Sequence, residues 1–204
     1  MEEQIMNMPA VALRGLTILP GMIAHFDISR ERSLRAVEEA MEQDQKIYLV
    51  TQRNVDSEDP TQEDLYQMGI VADIKQVVRL QNDVVRILVD GISRAALLGF
   101  TGNEKYLEAE ICYCDSNADS LPEDLREAML LGVREAFHRY AAVVGKISKE
   151  LIRQIDQYED LEKLIDYVTN NLPVSYELKQ QVLEAEDIND RYQVCLLYTS
   201  DAAD

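Results

Sequence analysis

Near residue 116 the hydrophobic period of this 204-residue chain changes, and that change dictates more of its architecture than any motif does. Upstream, short apolar runs alternate with turn signals at a repeat of about two residues, the spacing that sends side chains to opposite faces of a strand. Ile47-Tyr48-Leu49-Val50 is continuous and apolar, as a strand buried on both faces requires. Val85, Ile87 and Val89 alternate with more polar neighbours, and so do Leu107, Ala109 and Ile111, opposite Glu108, Glu110 and Cys112. Gln81-Asn82-Asp83 and Thr101-Gly102-Asn103 read as hairpin connections. One helix interrupts the pattern: Ser29 is the expected N-cap, and Leu34, Val37 and Met41 follow at helical spacing. An acidic loop, residues 56–60, follows the next strand. Five to seven short strands with one early helix predict a small, twisted, barrel-like β domain over residues 1–115.

After the polar stretch 116–120 the period becomes 3.6. Leu125, Met129, Val133, Ala136, Phe137, Tyr140 and Val144 form one helical stripe, and Gly145 is a suitable stop. Shorter helices are expected near residues 148–156 and 159–172, with Pro173 separating them from a last helix that starts near Ser175. Residues 116–192 therefore predict a helical bundle, and the fold class is α+β. The final stretch, residues 193–204, abandons the charged helical composition before it. We read it as a non-native tail, the product of a frameshift or a sequencing scar.

Charge narrows the function classes. The net charge is −18, spread as −10 over residues 1–120 and −8 over residues 121–204. A protein that neutralises phosphates needs a basic stripe, so nucleic acid is not expected as a partner, and anionic membranes are disfavoured in the same way. The start, MEEQIMNMPAVAL, is acidic where a secretory signal is basic, and no apolar run is long enough to span a bilayer. Cys112, Cys114 and Cys195 do not make a disulfide framework. The expected location is cytoplasmic.

Catalytic constellations are missing from the sequence. Gly145-Lys146 fails as a phosphate loop, because Tyr140 stands where its first glycine belongs and Ile147 follows the lysine instead of Ser or Thr. His25 and His138 have no partner motif, and Ser148-Lys149 is adjacent rather than placed across a site. Cys112 and Cys114 face the same way on a strand but lack the further ligands a metal needs, so no metal or cofactor is expected in these residues. What remains is a candidate binding loop, residues 13–22. It sets Leu16, Ile18, Leu19 and Met22 among two glycines and a proline, and these four are the expected substrate-binding residues. The alternative is that they fold back under the barrel.

Three stretches, in order, carry a family resemblance. The first is Leu13-Arg14-Gly15, an apolar triplet, Pro20, an apolar strand, Arg30 and the helix 33–41. The second is Val89-Asp90-Gly91-Ile92-Ser93-Arg94, where the glycine would permit a close turn between strands. The third runs from Asn171-Leu172-Pro173 through residues 178–184 to 187–191. Over about residues 8–192 the chain resembles the N-terminal domain of the bacterial ATP-dependent protease Lon (endopeptidase La). That resemblance implies a PUA-like β-barrel followed by a helical bundle. It also implies a role in recognising unfolded or degron-bearing proteins and in assembling a homohexameric ring. The ATP- and Mg-dependent module and the Ser–Lys peptidase module of such proteases lie outside the matching stretches, so activity transfers to no residue here. A free-standing adaptor or chaperone-like protein on the same domain is the second reading. RNA binding, known for other PUA-like barrels, is the third, and the charge of the β half argues against it.

Overall fold

The computed structural model describes residues 5–114 and 118–201, and the chain divides into two compact units, Met1–Cys114 and Asp115–Asp204. Among the described residues the first unit holds six strands, one α-helix and a short 3-10 turn at Gln62–Asp64: β1 (Ile5–Leu13), β2 (Ile23–Ile28), α1 (Glu31–Glu42), β3 (Lys46–Thr51), β4 (Met68–Arg79), β5 (Val85–Phe100) and β6 (Glu108–Tyr113). The sheet order is β2-β5-β4-β3-β1-β6, and β6 also pairs with β5. Five strands thus close a ring of pairings, with β2 appended to the outer edge of β5. All the pairings are antiparallel except β1 with β3. The small barrel-like fold expected from the sequence is what forms.

Two of the strands are not short. β4 and β5 are long enough that each takes part in two cores. Ile87 and Val89 of β5 join Ile70, Ala72 and Ile74 of β4 beneath α1, whereas Ala95 and Leu97 of β5 join Val71 in the core shared by the ring strands. β1 and β3 alternate in the same way. Val11, Leu13, Ile47 and Leu49 face one core, and Ala10, Ala12, Tyr48 and Val50 face the other. Burial on both faces is why β3 reads as an unbroken apolar run.

The hairpin between β4 and β5 forms where expected: Asn82 and Asp83 both take positive φ, 58° and 56°, and the Leu80 amide donates to the Val84 carbonyl at 2.8 Å. Asn and Asp tolerate this left-handed region better than most residues, and a two-residue turn of that hand matches the twist of the strands.

Three expectations change. The N-cap of α1 is Arg30 rather than Ser29, with no side-chain capping bond. The buried face of α1 is Ser33, Ala36, Val37 and Ala40, while Met41 lies exposed at the rim. Small side chains on that face let the helix sit close to β1 and β3, so the larger residues at helical spacing end beside the core rather than in it. Gly91 makes no turn between strands: it lies inside β5, as does Arg94.

The second unit contains α2 (Glu123–Val144), α3 (Lys149–Gln157), α4 (Leu161–Asn171), α5 (Tyr176–Glu184) and α6 (Ile188–Asp201). α2 buries Met129, Val133, Ala136, Phe137 and Tyr140, and the ends of the expected stripe, Leu125 and Val144, remain exposed. Gly145 closes α2 with a left-handed φ of 65°. The Ser148 hydroxyl accepts from the Leu151 amide at 3.1 Å to start α3, and the Asp160 carboxylate accepts from the Lys163 amide at 3.0 Å to start α4. His138 bridges α2 to α3 through Asp156, at 2.8 Å. α6 runs through residue 193, with Cys195 and Thr199 buried in this unit.

Candidate functional site

Loop 13–22 begins directly after β1. Gly15 and Gly21 both adopt positive φ (61° and 71°), and the Met22 amide closes a turn onto the Leu19 carbonyl at 3.1 Å. The loop then docks on β5. The Gly21 amide donates to the Gly91 carbonyl at 2.8 Å, and the Gly91 amide donates to the Met22 carbonyl at 3.0 Å. A Cβ on Gly91 would lie 2.4 Å from the Leu19 carbonyl oxygen, so the loop can approach β5 this closely only over a glycine.

That docking sorts the four expected binding residues. Ile18 and Leu19 are 1% and 0% exposed and point into the first unit, so they do not present the free surface anticipated from the loop's composition. Leu16 and Met22 are half-buried and pack against the rim of the core beneath α1. Thr17 is buried and shares a hydroxyl contact of 2.9 Å with Thr51, whose hydroxyl also donates to the Leu16 carbonyl.

Beside this loop lies a cleft of about 460 Å³. Residues 11–14 at the end of β1 form one wall, and residues 26–30 at the end of β2 form the other, joined by Leu16, Ser33 and Glu58. Its lower surface is apolar, with Leu16 and Phe26 packed on the core. Its rim carries Arg14 and Arg30. Arg14 Nη2 donates to the Ser57 carbonyl at 3.0 Å, and Arg30 Nη2 donates to Gln52 Oε1 at 2.7 Å with a longer contact to the same Ser57 carbonyl at 3.4 Å. Gln52 Nε2 donates to that carbonyl as well, at 3.0 Å. Partial burial, and then the neighbouring Arg14 charge, lower the pKa of Arg30 from its ordinary value.

Asp27 lies in the same wall but is engaged in a two-pronged bond with Arg86, at 2.7 and 2.9 Å, which holds its carboxyl below the usual range. The sequence reading placed Arg14 and Arg30 in a family pattern without assigning them a task. Their signal was one arginine among apolar residues, Arg14, and another just past an apolar strand, Arg30, in a strongly acidic chain. The Ser57 carbonyl is a backbone atom of a polar loop and gave none.

Cys112 and Cys114 are half-buried thiols outside any disulfide, and Cys114 Sγ rests 3.7 Å from Met68 Sδ. Among the described residues no group of three or more His, Cys, Asp or Glu is placed to hold a metal ion, and no helix is long and apolar enough to cross a membrane.

Residues 7–200 match the family model described as the ATP-dependent protease La (LON) substrate-binding domain. The chain belongs to this family. As a LON substrate-binding domain it is 36% identical over 198 residues to the Lon protease of Lachnoclostridium phytofermentans, covering 97% of this chain and 24% of that protein. It is 35% identical to the Lon protease of Clostridioides difficile, over 92% of this chain and 24% of the relative. The chain therefore spans about a quarter of the length of these relatives. Among solved structures, the N-terminal domain of Mycobacterium avium complex Lon protease superposes with a TM-score of 0.78 at 20% identity, covering 96% of this chain and 99% of that one. The Lon N-terminal domain protein from Xanthomonas campestris gives 0.64 at 14%, over 94% and 98%. At those identities the likeness establishes the fold, and it is the one the LON resemblance implied.

Proposed function

We propose that this chain is the substrate-recognition and assembly part of a cytoplasmic ATP-dependent serine protease, capturing unfolded or degron-bearing proteins for catalytic modules on the rest of the polypeptide. The observation that carries this reading is the match to the LON substrate-binding family over residues 7–200, in a chain that spans about a quarter of its relatives. ATP, Mg and the homohexameric ring belong to the parent protease. In a ring, several weak sites act on one client, and effective concentration raises the overall affinity without new contacts.

Within the first unit, the loop carrying Leu16, Ile18, Leu19 and Met22 supplies the apolar contact. Leu16 and Met22 offer their half-buried side chains, and Ile18 and Leu19 fix the loop on β5. The test is direct. The purified chain binds chemically unfolded casein weakly and hydrolyses neither ATP nor casein. Leu16→Ser and Met22→Ser weaken that binding without lowering thermal stability much. ATP turnover by the pure chain would overturn the reading, and unchanged casein binding by both variants would remove the loop from it.

We also propose that the residues from about Gln193 onward in this sequence are not native. α6 is anchored ahead of that point by Arg191, which is 2% exposed, pairs with Glu162 and donates to the Ala185 carbonyl at 2.7 Å. Past that point Cys195 and Thr199 are buried in the same unit and the Tyr198 hydroxyl donates to Gln181, contacts that a non-native continuation makes here in place of the native one. An in-frame genomic match to CLLYTSDAAD would refute the proposal.

A further inference from the structure

We propose that the cleft between β1 and β2 seats the free C-terminal carboxylate of an extended peptide. Arg14 and Arg30 would hold the carboxylate, and the preceding residues would lie along the open strand edges. The proposal rests on the substrate-binding reading above and names the chemistry that this domain selects.

The strand edges come first. β6 pairs with β1 only as far as Pro9, whereas β3 pairs with it over residues 10–13. Past the Ala10 amide, which donates to the Leu107 carbonyl at 2.7 Å, no described strand covers the other edge of β1. β2 pairs with β5 alone, so its outer edge is open too. The cleft lies between these two edges and is lined by both. An open edge presents amides and carbonyls at the spacing an extended chain can match, and peptides are commonly bound by adding a strand there. The volume of about 460 Å³ falls in the range of sites that enclose a small ligand or a short peptide end.

The rim supplies the charge. Arg14 follows directly on β1 and Arg30 stands two residues past β2, so both open edges run toward a guanidinium. Among the described residues neither arginine makes an ion pair, although Arg32, Arg35, Arg86, Arg153 and Arg191 all do. The two sit together at the rim, where the charge of Arg14 acts on Arg30, and Asp59 and Glu58 act on Arg30 from nearby without forming an ion pair with it.

Their present acceptor is a poor match. The Ser57 carbonyl receives three donors, two of them charged, but an amide oxygen has two lone pairs. A carboxylate offers about four acceptor sites and a full negative charge, and its bonds to guanidinium are roughly twice as strong as neutral ones. A peptide carboxylate therefore has reason to displace the Ser57 carbonyl. Of the two carboxylates that line the cleft, Asp27 is neutralised by Arg86, which leaves Glu58, together with the nearby Asp59 that pairs with Arg32, as the opposing charges. Leu16 and Phe26 provide an apolar surface for the last side chain of the peptide.

The experiment measures fluorescence anisotropy with a short fluorescein-labelled peptide ending in Leu-Leu, as the free acid and as the C-terminal amide. The free acid binds on the order of tenfold more tightly than the amide, the scale of one good charge-assisted contact. Arg14→Gln and Arg30→Gln each remove most of that difference and leave the amide unchanged. Glu58→Gln, which deletes the opposing charge that lines the cleft, tightens the acid about two- to threefold. Arg14 and Glu58 are surface groups, so these two variants test the idea even where Arg30→Gln lowers stability. Equal binding of acid and amide, or indifference to both surface variants, overturns the carboxylate seat. If unfolded casein still binds in that case, the substrate-binding reading stands without it. If neither peptide nor casein binds, both fall.

Discussion

Single residues decide whether the cleft has a floor. Gly91 lies against the Leu19 carbonyl and the Ile70 side chain, at Cβ distances of 2.4 and 2.9 Å that no alanine can keep. Gly91→Ala therefore lifts loop 13–22 from β5, an overpacking cost of about 1–3 kcal/mol in urea unfolding, and it weakens client binding in parallel because Leu16 and Met22 move with the loop. Asp27 and Arg86 make a pH-dependent contribution on the neighbouring strand. The side-chain hydrogen bond from Arg86 depresses the folded-state pKa of Asp27 below its unfolded value. Its stabilisation is thus complete above the ordinary aspartate pKa, about 3.9, and is lost as pH falls through the depressed folded value. A carboxyl NMR titration finds Asp27 titrating at lower pH than an ordinary aspartate. In Arg86→Gln its midpoint moves up toward the ordinary range.

At the scale of elements, the helices of the second unit are held by their ends as much as by their stripes. Arg191, near the start of α6, pairs with Glu162 of α4 and donates to the Ala185 and Glu186 carbonyls of the preceding turn. Arg191→Ala frees all of these acceptors. Because Glu162 stays partly solvated, thermal and denaturant unfolding of this unit should report the low end of the roughly 3–5 kcal/mol seen on breaking a buried pair. Such long-range anchors are hard to read in a sequence, whereas local signals are easy. Gly145, Ser148 and Asp160 mark helix ends through their own backbone chemistry, and Asn82-Asp83 marks a hairpin by itself. The buried face of α1 is hard to read because small residues carry little hydrophobic signal, yet Ala36 and Ala40 are what let it approach the sheet. The burial of Ile18 and Leu19 is hard to read for a related reason: it depends on Gly91, more than seventy positions away. The cleft was legible only as two unexplained arginines, since its edges come from strand order and one acceptor is a backbone carbonyl.

For the whole molecule the dominant property is a field of one sign with a small cationic exception. The net charge of −18 is spread over both units, so a client approaching from a distance meets negative potential whichever side it reaches. Arg14 and Arg30 act only at close range, because ions screen exposed charges beyond about 10 Å at 0.1 M salt. Long-range steering and local recognition therefore have opposite signs, and salt separates them. A basic unfolded client is drawn in by the field, so its association rate falls as salt is raised. An acidic client is repelled, and its rate rises over the same range, because screening removes the barrier before it removes the close contact at the cleft. Stopped-flow fluorescence with two clients of matched length and apolar content, opposite in net charge and both with free C-termini, measures these slopes. Slopes of the same sign for both clients would mean that the acidic surface plays no part in selecting what this domain captures. Opposite slopes identify the preferred client as an unfolded chain that is basic along its length.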